Sequence, residues 1–273
     1  MKTILFVHQS TELYGSDKML MTLVAGLGKT QYQPIAGLPG DGPLKSNLEK
    51  RGVETLVLPS AKISRTVFNA KGLIRYPFQV LLALRVFNRV LKGRRIDIVH
   101  SNTLAVLGGA LWAKLHGIPH IWHVHEIIEH PTLLRKGFPL LVSLLADRVA
   151  VISNAVGNFL ISVRPNLEKK VTVIRNGIPK GIPEHRAVIS DFRRDICASE
   201  EDVIIALVGR INRWKGQILL VEAAELLAQM GMNNVIFLIV GDPPPEQDYY
   251  RDILLSRIEA SPIRDRLVVW GFM

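Results

Sequence analysis

Short apolar runs rich in valine, isoleucine and leucine alternate along this chain with longer stretches whose apolar positions recur at helical spacing. Ile4–His8, Ile35–Leu38, Thr55–Leu58 and Ile96–His100 predict strands, separated by helical patterns over Ser16–Gly28, Pro43–Arg51 and a long segment near 78–92. The alternation continues through helix Leu104–His116, strand His120–His125, helix Arg135–Ala146, strand Val149–Ile152, helix Asn154–Val163 and strand Val171–Ile174. Repeated β-α order of this kind predicts a parallel sheet with helices as the connections.

Asn176-Gly177-Ile178-Pro179-Lys180-Gly181-Ile182-Pro183 is dense in turn and breaker residues, which predicts a hinge between a first domain, 1–176, and a second, 177–273. Strand Val203–Val208, helix Gln217–Met230, strand Val235–Val240, helix Gln247–Ala260 and strand Leu267–Trp270 then follow. That is half of a doubly wound domain, and half a sheet leaves an apolar strand edge uncovered. The expected fold class is α/β with two Rossmann-like doubly wound parallel-sheet domains, the second incomplete, and the chain is expected to be a piece of a longer protein.

Composition adds three constraints. The lone cysteine, Cys197, excludes an internal disulfide framework and predicts a reducing, cytoplasmic setting. The longest nearly uncharged apolar stretch, Phe138–Ala146, is far shorter than the roughly 20 residues that cross a bilayer. Net charge is +10, but residues 1–176 hold 23 Lys and Arg against 10 Asp and Glu, whereas 177–273 hold 11 against 14. Thr55 to Ile96 has no acidic residue, while Lys62, Arg65, Lys71, Arg75, Arg85, Arg89, Lys92, Arg94 and Arg95 accumulate there. Arg85, Arg89 and Lys92 form one helical stripe with Leu81, Leu82, Leu84 and Phe87 around the rest. Two readings stand side by side: an outer helix with a solvated basic face, or a contact with anionic lipid.

Ligands of open α/β sheets bind beyond the carboxyl ends of the strands, so the loops there are where chemistry is expected. The most informative is Gly209-Arg210-Ile211-Asn212-Arg213-Trp214-Lys215-Gly216, between an apolar strand and an amphipathic helix. Arg210 and Lys215 beside a helix N-terminus can hold a dianion by charge, hydrogen bonds and dipole together, and Gly216 leaves room for a bulky anion. Trp214 between them either stacks on a ligand or caps the core. Gly15-Ser16-Asp17 closes the first strand–helix connection and fits a phosphate contact or a plain turn with an N-cap equally well. His125-Glu126-Ile127-Ile128-Glu129-His130 carries its second histidine five positions on, and at roughly 100° per residue that histidine points away from the first. No metal site is therefore expected. His123 and His125 share one strand face, with His125 last, where it opens onto the ligand crevice, and His123 better placed as a core histidine satisfied by backbone.

Gly209-Arg210, Lys215-Gly216 and the following Val221-Glu222-Ala223-Ala224-Glu225-Leu226-Leu227 resemble the signature of the retaining glycosyltransferases of family 4, which have the GT-B fold. In the order that family follows come Leu13-Tyr14-Gly15-Ser16-Asp17-Lys18, Gly40-Asp41-Gly42-Pro43-Leu44 and His123-Val124-His125-Glu126. After them come Val151-Ile152-Ser153-Asn154-Ala155, Val173-Ile174-Arg175-Asn176-Gly177 and Ile239-Val240-Gly241-Asp242. The first loop departs from the pattern in its second glycine and following glutamate, and the family's glutamate-containing donor segment would begin beyond Met273. The resemblance implies two domains facing a cleft and transfer of a hexose, with retention and without metal. The donor would be a UDP- or GDP-linked sugar and the acceptor lipid-linked or polysaccharide. Arg210 and Lys215 would hold the diphosphate and His125 the transferred sugar, with Gly15, Ser16, Gly209, Gly216 and Gly241 at the donor and no cofactor.

That points to a cytoplasmic enzyme, peripheral at the inner face of the plasma membrane through Lys62–Arg95. A GT-B nucleotide-sugar epimerase is the second reading. A polyanion-binding module is the third, and nucleic acid ranks last because residues 62–95 offer chiefly Phe68, Tyr76, Phe78 and Phe87 for stacking.

Overall fold

The computed structural model describes residues 1–28, 30–63, 67, 69–177, 192–244 and 246–271. The predicted hinge from Ile178 onward, Arg65, Phe68, Pro245 and Met273 lie outside them. The polypeptide divides into two compact units, Met1–Lys180 and Gly181–Met273.

The first unit runs β1 (Lys2–Val7), α1 (Gly15–Gly26), β2 (Tyr32–Leu38), α2 (Pro43–Glu49), β3 (Glu54–Val57), α3 (Ala70–Val90), β4 (Ile98–Asn102) and α4 (Leu107–Leu115). It continues with β5 (His120–Val124), α5 (Thr132–Leu145), β6 (Arg148–Val151), α6 (Asn154–Val163) and β7 (Val171–Val173). All seven strands are parallel, in the order β3-β2-β1-β4-β5-β6-β7. Alternate residues of β1 serve opposite faces of the sheet. Ile4 and Phe6 pack with Leu20 and Val24 of α1 and Leu44 and Leu48 of α2, while Leu5 and Val7 pack with Phe87 of α3 and Trp112 of α4. Both faces are covered, as a parallel sheet requires.

Strand order reverses between β1 and β4, so the crevice at the carboxyl ends of those strands is the switch point where such sheets take their ligands.

The second unit supplies β8 (Val203–Val208), α7 (Gln217–Gln229), β9 (Val235–Val240), α8 (Tyr249–Glu259) and β10 (Leu267–Trp270). Its parallel sheet has the order β10-β9-β8. The central strand β9 is buried along its whole length, whereas Val203 and Val208 on the edge strand β8 are exposed.

The long helix departs most from the sequence reading. It begins at Ala70 rather than near 78 and runs through Pro77. Proline in a helix interior removes a hydrogen bond and argues for a start beyond it. Here Asn69 caps the earlier start by accepting from the Gly72 amide at 2.7 Å, and the Tyr76 hydroxyl donates to the Ala61 carbonyl at 2.8 Å, anchoring the first turns. Among the described residues, no helix is long and apolar enough to cross a membrane.

Candidate functional site

In the first unit, three neighbouring strands deliver polar side chains side by side at their carboxyl ends. His8 follows β1, Asn102 closes β4 and His125 follows β5. Asn102 Nδ2 lies 3.1 Å from His8 Nδ1 and 3.3 Å from the Ser16 carbonyl, and its Oδ1 lies 2.9 Å from His125 Nε2. The Ser16 carbonyl fixes the amide orientation, because a flipped Asn102 would set oxygen against oxygen. Both amide hydrogens are then used, so His8 Nδ1 accepts and His8 Nε2–H donates to Asp17 Oδ1 at 2.5 Å. By the same argument His125 Nε2–H donates to Asn102 Oδ1, leaving Nδ1 as the acceptor position on that ring. The other Asp17 oxygen accepts from the Tyr14 amide at 2.8 Å and caps α1, so Asp17 rather than Ser16 performs the capping.

Burial, with His123 and His8 nearby, lowers the His125 pKa from 6.5 to about 3, so the ring is neutral near pH 7 and its Nδ1 can accept a hydrogen bond. Glu126 accepts from the Leu104 amide at 3.2 Å and the His125 amide at 3.3 Å, which pins the turn, while burial raises its pKa. Gly15 has nothing above it, and the space over the first turn of α1 is open. Asn102→Ala would strip partners from His8, His125 and the Ser16 carbonyl together. It is expected to cost about 2–4 kcal/mol in chemical denaturation, several times the loss for an ordinary surface asparagine.

His123 departs from expectation. It is buried, but both ring nitrogens lack a hydrogen-bond partner among the described residues. It lies between His100, which it meets edge-on with ring centres 5.4 Å apart, and His125, whose tilted ring is centred 4.2 Å away. His120, by contrast, pairs with the Ser101 hydroxyl at 2.9 Å and the Leu145 carbonyl at 3.2 Å. Burial lowers His120 and His123 from 6.5 to about 4. The unfolded chain therefore binds more protons than the folded one below about pH 6.5, and each such histidine removes up to about 1.4 kcal/mol per pH unit. Melting followed by circular dichroism is expected to show a plateau above pH 7 and a steadily falling Tm from pH 6 toward pH 4. A Tm flat across that range would contradict the neutral cluster. Among the described residues, no three His, Cys, Asp or Glu side chains gather as a metal-ligand set.

In the second unit the loop after β8 is laced to the loop after β9. The Gly209 amide donates to the Val240 carbonyl at 2.9 Å, the Ile211 amide to the Asp242 carbonyl at 3.0 Å, and the Gln217 side chain to the Arg210 carbonyl at 3.0 Å. Lys215 folds its alkyl stem over Gly209, whose added Cβ would stand 3.7 Å from Lys215 Cδ. The loop thus brings Gly209 and Lys215 together. Gly216 enters α7 in the left-handed conformation with φ of 79°, which a side chain would strain. The first amides of α7 have no partner within the helix and present a positive end beside Arg210 and Lys215. Trp214 is 74% exposed, so it does not cap the core; it lines an open groove with Ile218, Tyr250 and Ile253.

These two units have the α/β architecture of GT-B glycosyltransferases. Across residues 15–180 the chain matches Glycosyltransferase Family 4, and it belongs to that family. It is similar to the structure of Anabaena HepE in complex with UDP-glucose, with a TM-score of 0.79 and 22% identity, over all of this chain and 70% of that one. The glycosyltransferase from Rickettsia africae ESF-5 superposes with a TM-score of 0.76 at 20% identity, over all of this chain and 68% of that one. A curated relative, the α-maltose-1-phosphate synthase of Mycolicibacterium smegmatis, is 28% identical over 155 residues, 52% of this chain. The chain spans 40% of that relative's length.

Proposed function

We propose that this chain takes a hexose from a UDP- or GDP-linked sugar and transfers it, with retention and without metal, to a lipid-linked or polysaccharide acceptor at the cytoplasmic face of the membrane. One observation carries the reading: Arg210 and Lys215 flank a loop braced by Gly209 and Gly241 at the N-terminus of α7. As the anomeric C–O bond breaks, its electron pair stays on the nucleoside diphosphate. The acceptor oxygen forms the new bond and gives up its proton to the departing phosphate. Cations and helix amides already in place stabilise that growing charge more than they stabilise the bound donor. His125 Nδ1 accepts from a hydroxyl of the transferred sugar, and Gly15 and Ser16 leave the first loop open to the donor. Membership of Glycosyltransferase Family 4 and the likeness to HepE, which was solved with UDP-glucose, support the donor class.

Calorimetric titration with UDP, GDP and their hexose conjugates in the presence of EDTA tests the donor class. Saturable binding of at least one diphosphate, unchanged by magnesium, is expected. No binding by any of them, or binding only with magnesium, would refute it. An epimerase reading predicts a new sugar epimer from donor alone, without acceptor.

A further inference from the structure

Helices α3, α4, α5 and α6 contain no aspartate or glutamate, whereas α1 and α2 each carry one. On α3, Ala83 and Phe87 point into the core. At about 100° per residue, Ile74, Phe78, Leu81 and Leu82 share the opposite arc, and all four are exposed, Ile74 at 70% and Phe78 at 69%. Arg85 and Arg89 continue the same arc and are exposed, as is Lys92 in the turn just beyond the helix. The outer side of α3 thus carries exposed Lys71 and Arg75 in its first turns, the apolar group through its middle, and Arg85 and Arg89 toward its end. On α5, Leu133, Leu140 and Leu144 recur at helical spacing and are likewise exposed. Between the two helices lies an apolar groove of about 250 Å³, lined by Val67, Tyr76, Leu134, Phe138 and Leu141.

Aliphatic side chains gathered on one face mark a surface that meets a partner. A second copy of the chain would oppose two faces of the same positive charge. Nucleic acid would match the charge but not the aliphatic side chains. A bilayer bearing anionic headgroups matches both features.

We infer that the outer faces of α3 and α5 dock on an anionic lipid surface, with Ile74, Phe78, Leu81 and Leu82 entering the acyl boundary while Arg85 and Arg89 lie among the phosphates. This docking rests on the membrane placement in the proposed function but not on donor binding, so vesicle binding and nucleotide binding can fail separately. Co-sedimentation with vesicles of phosphatidylcholine, alone or mixed with phosphatidylglycerol, tests it. The chain is expected to sediment with the mixed vesicles and remain in solution with phosphatidylcholine alone, with the bound fraction falling as salt is added. Phe78→Asp with Leu82→Asp, and separately Arg85→Glu with Arg89→Glu, are each expected to reduce vesicle binding at least about tenfold, leaving nucleotide binding and Tm unchanged. Equal binding to neutral vesicles would overturn the inference, as would no binding at any salt or undiminished binding by both variants. So would a dimer that Phe78→Asp dissociates in the absence of lipid.

Discussion

Replacing Arg210 and Lys215 together with alanine is expected to weaken binding of the nucleoside diphosphate by about two to four orders of magnitude while leaving Tm within a degree or two. Each cation is expected to contribute about 1.5–3 kcal/mol through charge-assisted hydrogen bonds, and about 1.4 kcal/mol is a tenfold change. Stability is expected to hold because the loop's frame comes from other groups. The Gly209 and Ile211 amides and the Gln217 side chain form its hydrogen bonds to the neighbouring loop and the Arg210 carbonyl, and none involves either cation's side chain. Arginine in place of Lys215 is expected to recover only part of the affinity, since the planar guanidinium does not reproduce a compact ammonium whose stem rests on Gly209. Calorimetry on the single and double variants gives the coupling between the two cations. Unchanged affinity in the double variant would remove this loop from the donor site.

Gly241→Ala is expected to cost about 2–4 kcal/mol of stability and to weaken nucleotide binding with it. A Cβ at this position would stand 2.3 Å from the Gly209 carbonyl oxygen, and the backbone φ of 134° is one that side chains rarely adopt. Neither fault relaxes alone, because the Gly241 amide is held by the Trp270 carbonyl at 2.9 Å and Gly209 by Val240. The loop carrying Arg210 must therefore shift away from β9 to admit the methyl group. Denaturation monitored by Trp270 and Trp214 fluorescence measures the first effect and titration with UDP the second. Wild-type stability would mean that the junction of the two loops is softer than its geometry shows.

Much of this architecture is visible in the chain itself because parallel strands are short apolar runs with no polar face to confuse the pattern. The runs Val203–Val208, Val235–Val240 and Leu267–Trp270 coincide with β8, β9 and β10 to the residue. The start of α3 was not visible, since Pro77 is a strong local stop signal that Asn69 and the distant Ala61 carbonyl outweigh. The cation loop was legible because all its parts lie in one stretch of sequence. The chain from Asp17 through His8 and Asn102 to His125 was not. Asn102 is 94 residues from His8, and only the β1–β4 pairing brings them together. One signal was present: His8 and Asn102 are polar residues closing apolar strands, where a buried polar group needs a partner. The exposed leucines of α3 were hidden for another reason. Helical spacing shows which residues share a face but not which face the sheet covers, and Phe87 rather than Leu81 or Leu82 is the residue it covers.

The central claim is transfer of a sugar from a nucleoside diphosphate by way of Arg210 and Lys215. Following a panel of radiolabelled nucleotide sugars incubated with the protein and membrane extract tests it most directly. Label is expected to move from one donor into an extracted acceptor in EDTA, with the anomeric configuration of the donor preserved. The Arg210 and Lys215 double variant is expected to abolish that movement. Label that remains on the donor throughout the panel, returns as an epimerised sugar without acceptor, or transfers equally well in the double variant would contradict it.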